Sequence, residues 1–407
     1  MGMFKPVTFG YEWETLVLKP DLSLTENRDV EWLARRIRNK FPWSRTGTDY
    51  LGWGREGRLL EIRSGILESY TQLVEETHHQ LDEIRKVCRD KGWVFLPIGS
   101  HPVIGNAVGL HVHTGSIYDF PVATGIADVL IKYAPCFAAL ASNSPIWGRN
   151  LKREFKSYRV MRYADYDSTV RRITRPDVAQ FVWGDDVCVK TDIHSTIELR
   201  IGDSASSEEF VNQYVAFVIA FVVGFLKKNT QRFSKNLYLE YIENRFRAAR
   251  YGLQARFAWD GEERDVVDIL WDMMDTAEFK AIGCSGLGLI EEMLRKHQTQ
   301  ADFCLFIHKF RDDVFELTRE LGNLSERGNA FYDYLSDAPK LPSLEPLKID
   351  DFILSSITKE TPISYIYELL NLPYGVLTER LEKFIERGKI VRERTPEYGE
   401  RYTRTDV

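Results

Sequence analysis

Cysteine is scarce. Five occur in 407 residues, at positions 88, 136, 188, 284 and 304, and no pair forms C-x-x-C. An odd, scattered set argues against a disulfide framework or a zinc ribbon and fits a reducing, cytoplasmic setting. An excess of positive charge is also missing: 54 Lys and Arg stand against 60 Asp and Glu, a net charge of −6. No bulk field therefore favours nucleic acid or an acidic membrane surface. A long hydrophobic run is lacking too. The most apolar stretch, YVAFVIAFVVGFL at 214–226, is short for a bilayer and ends in Lys227-Lys228, so it reads as a buried helix and no membrane partner is expected. The opening MGMFKPVTFG carries no apolar signal core, and Pro6 stands where a myristoylation signal wants Ser or Thr. There is no P-loop, internal repeat or low-complexity tract. GWGREG at 52–57 matches G-x-G-x-x-G but precedes the strand-like RLLEIR instead of opening a helix, so it is read as a turn.

What is present is an alternation of strand-like and helical stretches long enough for more than one domain. VTFGYEWETLVLKP reads as a strand ended by Pro20, RLLEIRSG as a second, GLHVHTG as another and STIELRIGD as a fourth with the same character. Helical spacing covers 29–40, 69–91, 128–140 and 207–228, and further helices are expected to about residue 334.

Histidine is rare, eight in all, yet His111 and His113 share one strand. Residues i and i+2 of a strand point to the same face. The other strands repeat the form: Glu12 with Glu14, Glu61 with Arg63, and Glu198 with Arg200. Trp13, Ile62, Val112 and Leu199 lie between the members of the pairs. Each pair alone fits a solvated strand face or a cross-strand ion pair. Four together predict one sheet with an apolar back and a polar front. Two carboxylates about 6.6 Å apart along a strand repel by roughly 2.5 kcal/mol at an effective dielectric of about 20. A divalent cation relieves that repulsion, and carboxylates with few imidazoles suit Mg²⁺ or Mn²⁺. The pattern points to a metal–phosphate site with an Arg to take developing negative charge. A metallohydrolase would want more histidines at barrel strand ends, and the remaining histidines do not fall into that pattern.

The segments GYEWE (10–14), LEIR (60–63), GLHVHTG (109–115), SPIWG (144–148), TIELRIGD (196–203) and NRFRAARYGL (244–253) occur in this order. In that order they resemble the glutamate–cysteine ligase type 2 family of carboxylate–amine ligases, and more distantly glutamine synthetase. The resemblance implies an α+β fold: a glutamine-synthetase-like curved antiparallel sheet with helices packed on its back. It implies ATP as cofactor, with Mg²⁺, or Mn²⁺, on its phosphates. The implied reaction joins a small-molecule carboxylate, an amino acid, to an amine through an acyl phosphate, releasing ADP and phosphate. Carried over, Glu12, Glu14, Glu61, His111 and Glu198 are the expected metal ligands. Arg200, His113 and Glu61 are the expected catalytic groups, and His113, Arg200 and Arg159 the expected nucleotide contacts. Arg149, Arg159, Arg171, Arg172 and Arg175 are candidates for holding a substrate carboxylate. Two points depart from the family pattern or stay open. A Thr-rich turn is replaced by Arg63-Ser64-Gly65, and the acidic residue upstream of Glu61 is either Asp49 or Glu56.

The expected organisation is a catalytic domain over 1–336, a Pro-rich linker over 337–348 and a winged helix-turn-helix domain over 349–407. DAPKLPSLEP holds three prolines and reads as an extended spacer. Beyond it, short amphipathic helices at 350–357, 363–370 and 374–387 precede a hairpin of KIVRER and ERYTRT. This tail carries the rival reading, a catalytically reduced, ATP- or metabolite-sensing DNA-binding regulator. From residue 345 onward, however, ten Lys and Arg face twelve Asp and Glu. Protein contact, or at most weak DNA binding, is expected of the tail, and further copies of the chain are expected as partners.

Overall fold

The computed structural model describes residues 7–50, 57–101, 107–116, 120–146, 155–162, 186–190, 196–228, 235–311, 313–370, 372, 374–395 and 399–406. Its main sheet contains β1 (Phe9–Leu18), β2 (Gly47–Tyr50), β3 (Arg58–Arg63), β4 (Val94–Leu96), β5 (Gly109–Thr114), β6 (Val187–Lys190) and β7 (Thr196–Asp203). The order is β2-β3-β1-β5-β7-β6, with β4 on the far end of β1, and every pairing is antiparallel. The class is α+β, as the resemblance implies.

Alternation decides what each face meets. Trp13, Ile62, Val112 and Leu199 are all buried. Helices cover the sheet: α3 (Phe120–Leu140) lies against β6 and β7, and α5 (Glu208–Lys228) against β1 and β5. The apolar run at 214–226 forms most of α5 and is core, not an exposed face. Helix α2 (Tyr70–Lys91) starts where Ser69 accepts a bond from the Gln72 N–H at 3.2 Å and stops at Gly92, whose φ of 67° suits glycine. Helix α1 (Asn27–Lys40) packs on β2 and β3. The short α4 (Tyr158–Arg162) and the longer α6 (Lys235–Tyr251) stand beside β7 and α3.

One stretch expected to be helical is not. Residues 256–265 form a hairpin, β8 (Arg256–Trp259) and β9 (Glu262–Asp265), ahead of α7 (Val266–Thr276). Asp260 and Gly261 turn it with φ of 51° and 89°, the two-residue turn that an Asp-Gly pair favours. Helices α8 (Gly288–Lys296), α9 (Gln300–His308), α10 (Val314–Arg327) and α11 (Ala330–Asp337) follow.

The Pro-rich stretch is extended and runs along the body of the protein. Leu344 N–H donates to the Gln254 carbonyl (2.9 Å), Leu341 N–H to that of Lys296 (2.9 Å), and Gln254 Nε2 to that of Pro342 (2.8 Å). Beyond it come α12 (Ile349–Ser356), β10 (Thr361–Pro362), α13 (Ile363–Leu370), α14 (Tyr374–Glu386), β11 (Ile390–Thr395) and β12 (Gly399–Arg404). The three strands pair in the order β10-β12-β11. Phe352 of α12 is wedged between Phe155 and Phe246, at ring distances of 5.6 and 5.3 Å.

Candidate active site

The strand order brings the four polar pairs side by side. Glu12 lies opposite Arg63 on β3 and His111 on β5. Glu14 lies opposite Glu61, and His113 opposite Glu198. Four strands from separate parts of the chain thus build one polar patch, because their apolar partners occupy the other face.

The contacts are close. His111 Nδ1 is 3.4 Å from Glu12 Oε2 and 3.2 Å from Glu198 Oε1, and its Nε2 is 3.8 Å from Glu14 Oε1. His113 Nε2 is 3.6 Å from both Glu12 Oε1 and Glu198 Oε1. Arg63 reaches Glu12 at 3.4 Å and forms an ion pair with Glu61. Arg200 Nε lies 3.8 Å from Glu198 Oε1. Glu14 also accepts the Gly109 N–H at 2.6 Å. The His111 side chain is 2% exposed and that of His113 17%, so His111 lies in the floor and His113 is the less buried of the two.

Charge in this patch is unevenly settled. Burial pushes the Glu12 carboxyl up, but His111, His113 and Arg63 outweigh it and hold it well below the usual carboxylate range. Glu198 behaves alike, with Arg200, His113 and His111 overcoming its burial. Glu61 goes the other way. Burial, incompletely offset by Arg63 and reinforced by Glu12, Glu14 and Asp49, pushes it up to about 8. Burial lowers His111, yet Glu14, Glu12 and Glu198 raise it above its ordinary value. Burial and the surrounding acids thus favour a proton on Glu61, and the three acids around His111 favour its charged form.

The donor set therefore fits a hard divalent cation. Glu12, His113 and Glu198 each offer a ligand atom, all within 4.8 Å of one another, with Glu14, Glu61 and His111 adjoining. Oxygen donors predominate, as Mg²⁺ and Mn²⁺ prefer.

Of the two upstream acids, Asp49 on β2 is half-buried, and its charge acts on Glu61 and Arg63. Burial raises its own carboxyl, against the Tyr50 N–H bond. Glu56, Arg149, Arg171, Arg172 and Arg175, with most of the GWGREG turn, lie outside the described residues. Arg159 is described and faces the main chain: its guanidinium donates to the carbonyls of Arg200 (2.9 Å) and Ile201 (3.1 Å).

Two supporting clusters were not foreseen. Asp203 accepts from Asn143 N (2.7 Å), Ser144 Oγ (2.7 Å) and Ser157 Oγ (2.9 Å). Arg245 grips buried Asp186 with two nitrogens, at 2.6 and 2.9 Å, and also bonds the Val160 carbonyl. Ser144, Asp203 and Arg245 all fall in segments that carry the resemblance, which was the available signal. Asp186 had none.

Comparison with known proteins agrees with these segments. Proteins named "Putative glutamate--cysteine ligase 2" from Gloeobacter violaceus and Corynebacterium glutamicum strain R are 27% and 25% identical to this chain. The alignments cover 48% and 71% of this chain and 64% and 88% of those proteins. Among solved structures, the complex of the prokaryotic ubiquitin-like protein Pup with its ligase PafA is 12% identical at a TM-score of 0.42, covering 95% of this chain and 84% of that one. A GmaS/ADP complex is 13% identical at 0.41, covering 75% and 73%. The family described as Glutamate-cysteine ligase family 2 (GCS2) matches residues 8–119 and 106–283, well over half of the chain, and the chain belongs to that family.

Proposed function

We propose that this protein joins a carboxylate to an amine at the expense of ATP, through an acyl phosphate, with release of ADP and phosphate. The observation that carries the reading is the convergence of four i, i+2 polar pairs on adjacent strands, which among the described residues gathers four carboxylates and two imidazoles in one patch. Glu12, Glu14, Glu61, His111 and Glu198 would hold Mg²⁺ or Mn²⁺, which when bound neutralises and orients the phosphates of ATP. His113, the more open imidazole, and Arg200 face the phosphates. In the first step the substrate carboxylate attacks the γ-phosphorus and the bond to the ADP oxygen breaks. Arg200, permanently charged, takes up negative charge gathering on the transferring oxygens. In the second step the amine attacks the acyl carbonyl and phosphate leaves. The proton the amine gives up passes to a carboxylate of the site, a role for which Glu61 is the candidate. The acid and amine are amino acids or similar small molecules.

The tail is read as a winged helix that contacts protein, not DNA. Four arginines of its hairpin each sit beside an acid of the same unit: Arg392 with Glu382, Arg394 with Glu400, Arg401 with Glu360, Arg404 with Asp406. Such charges are poorly placed to displace counterions from phosphates. The test is phosphate release from ATP and Mg²⁺ across pools of amino acids and amines, with Glu198→Gln as control. Release with one acid–amine pair, absent in the variant, supports the ligase and names its substrates. Tight ATP binding with no release from any pool favours the nucleotide-sensing regulator instead.

A further inference from the structure

We propose that Arg159 is the positioning residue of this site: its guanidinium supplies the hydrogen bonds that a β-bulge removes from β7, and so fixes the backbone that aims Arg200 and seats His111. The proposal rests on the ligase reading for what Arg200 and His111 do, but not for what Arg159 holds.

The bulge is read from the register. Gly109 pairs with Asp203 and Leu110 with Gly202, but Val112 pairs with Leu199. His111 alone therefore opposes two residues, Arg200 and Ile201. A bulge disrupts the ladder locally and re-aims side chains, and bulges concentrate beside active sites. The backbone groups it leaves need other partners. Arg159 provides them from α4: Nη2 donates to the Arg200 carbonyl at 2.9 Å and Nη1 to the Ile201 carbonyl at 3.1 Å. The same Nη2 lies 3.4 Å from His111 Nε2. One planar group thus touches all three residues of the bulge. On the N–H side, Arg200 donates to the Asp186 carbonyl at 2.8 Å.

The surroundings are shaped for this group. A Cβ at Gly109 would lie 2.2 Å from Arg159 Nη2 and 2.9 Å from His111 Nε2, so the glycine leaves the space the guanidinium fills. Helix α4 is pinned at its start. Ser157 bonds Asp203, the Arg159 N–H donates to Ser144 Oγ at 3.2 Å, and Arg245 holds the Val160 carbonyl. The bulge also shifts the pairing so that Asp203 comes opposite Gly109, and Asp203 is the carboxylate that receives Ser144 and Ser157. Lysine cannot bridge two adjacent carbonyls with a fixed fork.

The test uses the full chain with Arg159→Lys, Arg159→Ala and Gly109→Ala. It measures Mn²⁺ binding by electron paramagnetic resonance, steady-state kinetics, thermal midpoint, and amide hydrogen exchange over residues 199–202. Arg159→Lys is expected to exchange faster at 199–202, to bind Mn²⁺ about 10–100-fold more weakly, and to lose about 100-fold in kcat with KM for ATP nearly unchanged. Millimolar guanidinium restores Mn²⁺ affinity to Arg159→Ala, and ammonium does not. Gly109→Ala reproduces the Arg159→Lys profile, which keeps the test valid if Arg159→Ala fails to fold. A raised KM at unchanged kcat, with wild-type exchange and Mn²⁺ affinity, would make Arg159 a substrate contact and overturn the proposal. Wild-type behaviour of Arg159→Lys in all four measurements overturns it as well. Wild-type protein that binds neither Mn²⁺ nor ATP defeats the ligase reading alone, and exchange at 199–202 still decides the role of Arg159.

Discussion

Two groups of buried charge lie within a few residues of each other and behave oppositely. Around Asp186, Arg245 and Asp203, each charge has hydrogen-bond partners of its own: two guanidinium nitrogens on Asp186, two hydroxyls and an amide on Asp203. Among the described residues around Glu12, Glu14, Glu61 and Glu198, the carboxylates outnumber the arginines, and burial together with the neighbouring acids pushes Glu61 up to about 8. A buried charge that the protein balances internally is framework. A cluster of buried carboxylates is where, on the proposed reading, a bound cation would supply the balance. The comparison can be broken by variants that act on one group and leave the other.

The largest effect is expected at Arg200. Arg200→Gln should lower kcat by about 10³-fold, the range for a guanidinium that stabilises a transferring phosphoryl group. Phosphate release measures it, at a temperature where the thermal midpoint shows the variant still folded, since Arg200 also offsets the buried Glu198. A variant that keeps more than a tenth of the rate would remove Arg200 from phosphoryl transfer.

Asp186→Asn should do the reverse, acting on stability first. It removes the Asp186 charge from the buried Arg245 guanidinium, and breaking a buried pair in this way costs about 3–5 kcal/mol. Urea unfolding reads this as a lower midpoint at constant slope. A midpoint unchanged from wild type would show that this pair is not framework, and the contrast drawn above would fail.

The polar pairs were legible because a strand has a period of two: Glu12 and Glu14, or His111 and His113, declare a face without help from the rest of the chain. Their neighbours were not legible. β1 pairs with residues some fifty positions away on β3 and about a hundred away on β5, and nothing local encodes that choice. The bulge was hidden because TIELRIG alternates regularly; only Gly202, whose Cβ would press on the Leu110 carbonyl at 3.1 Å, hinted at a close approach. The Asp260-Gly261 turn was written in the sequence but was lost among helical signals on both sides. β2 and β6, four residues each, are too short for alternation to stand out. Three prolines marked 337–348 as extended but could not tell that its carbonyls and N–H groups are used by Gln254 and Lys296.

A smaller effect, with a definite sign, follows from the unbalanced group. Glu61 has a folded pKa above its unfolded value, so the folded state binds the extra proton between about pH 4.5 and 8. Stability of the metal-free protein should therefore fall as pH rises through that window. His111, also raised, adds in the same direction: its contribution is present at low pH and lost as pH rises through its folded pKa. Glu12 and Glu198, held low, keep their contribution throughout and lose it only in strong acid. Mg²⁺ should flatten the slope by taking the place of the protons, and should stabilise more at pH 8 than at pH 5. Thermal midpoints across pH, with Mg²⁺ and with chelator, test this. Parallel curves would mean that no cation uses these carboxylates.

The smallest effect belongs to a third arrangement, the hairpin of the tail, where charges are balanced in the open. Exposed ion pairs contribute little to stability, so removing one side should leave folding untouched and release the other. Glu382→Gln with Glu400→Gln frees Arg392 and Arg394. The expected result is an unchanged thermal midpoint and a several-fold gain in weak, salt-sensitive retention of duplex DNA, from near nothing in wild type. Wild-type protein that already binds duplex DNA tightly, or a double variant that binds no better, would show that these acids do not mask the arginines. The first of those outcomes would return the tail to DNA recognition. In that event the acids would be reading partners, and balance in the open would no longer separate the tail from a nucleic-acid interface.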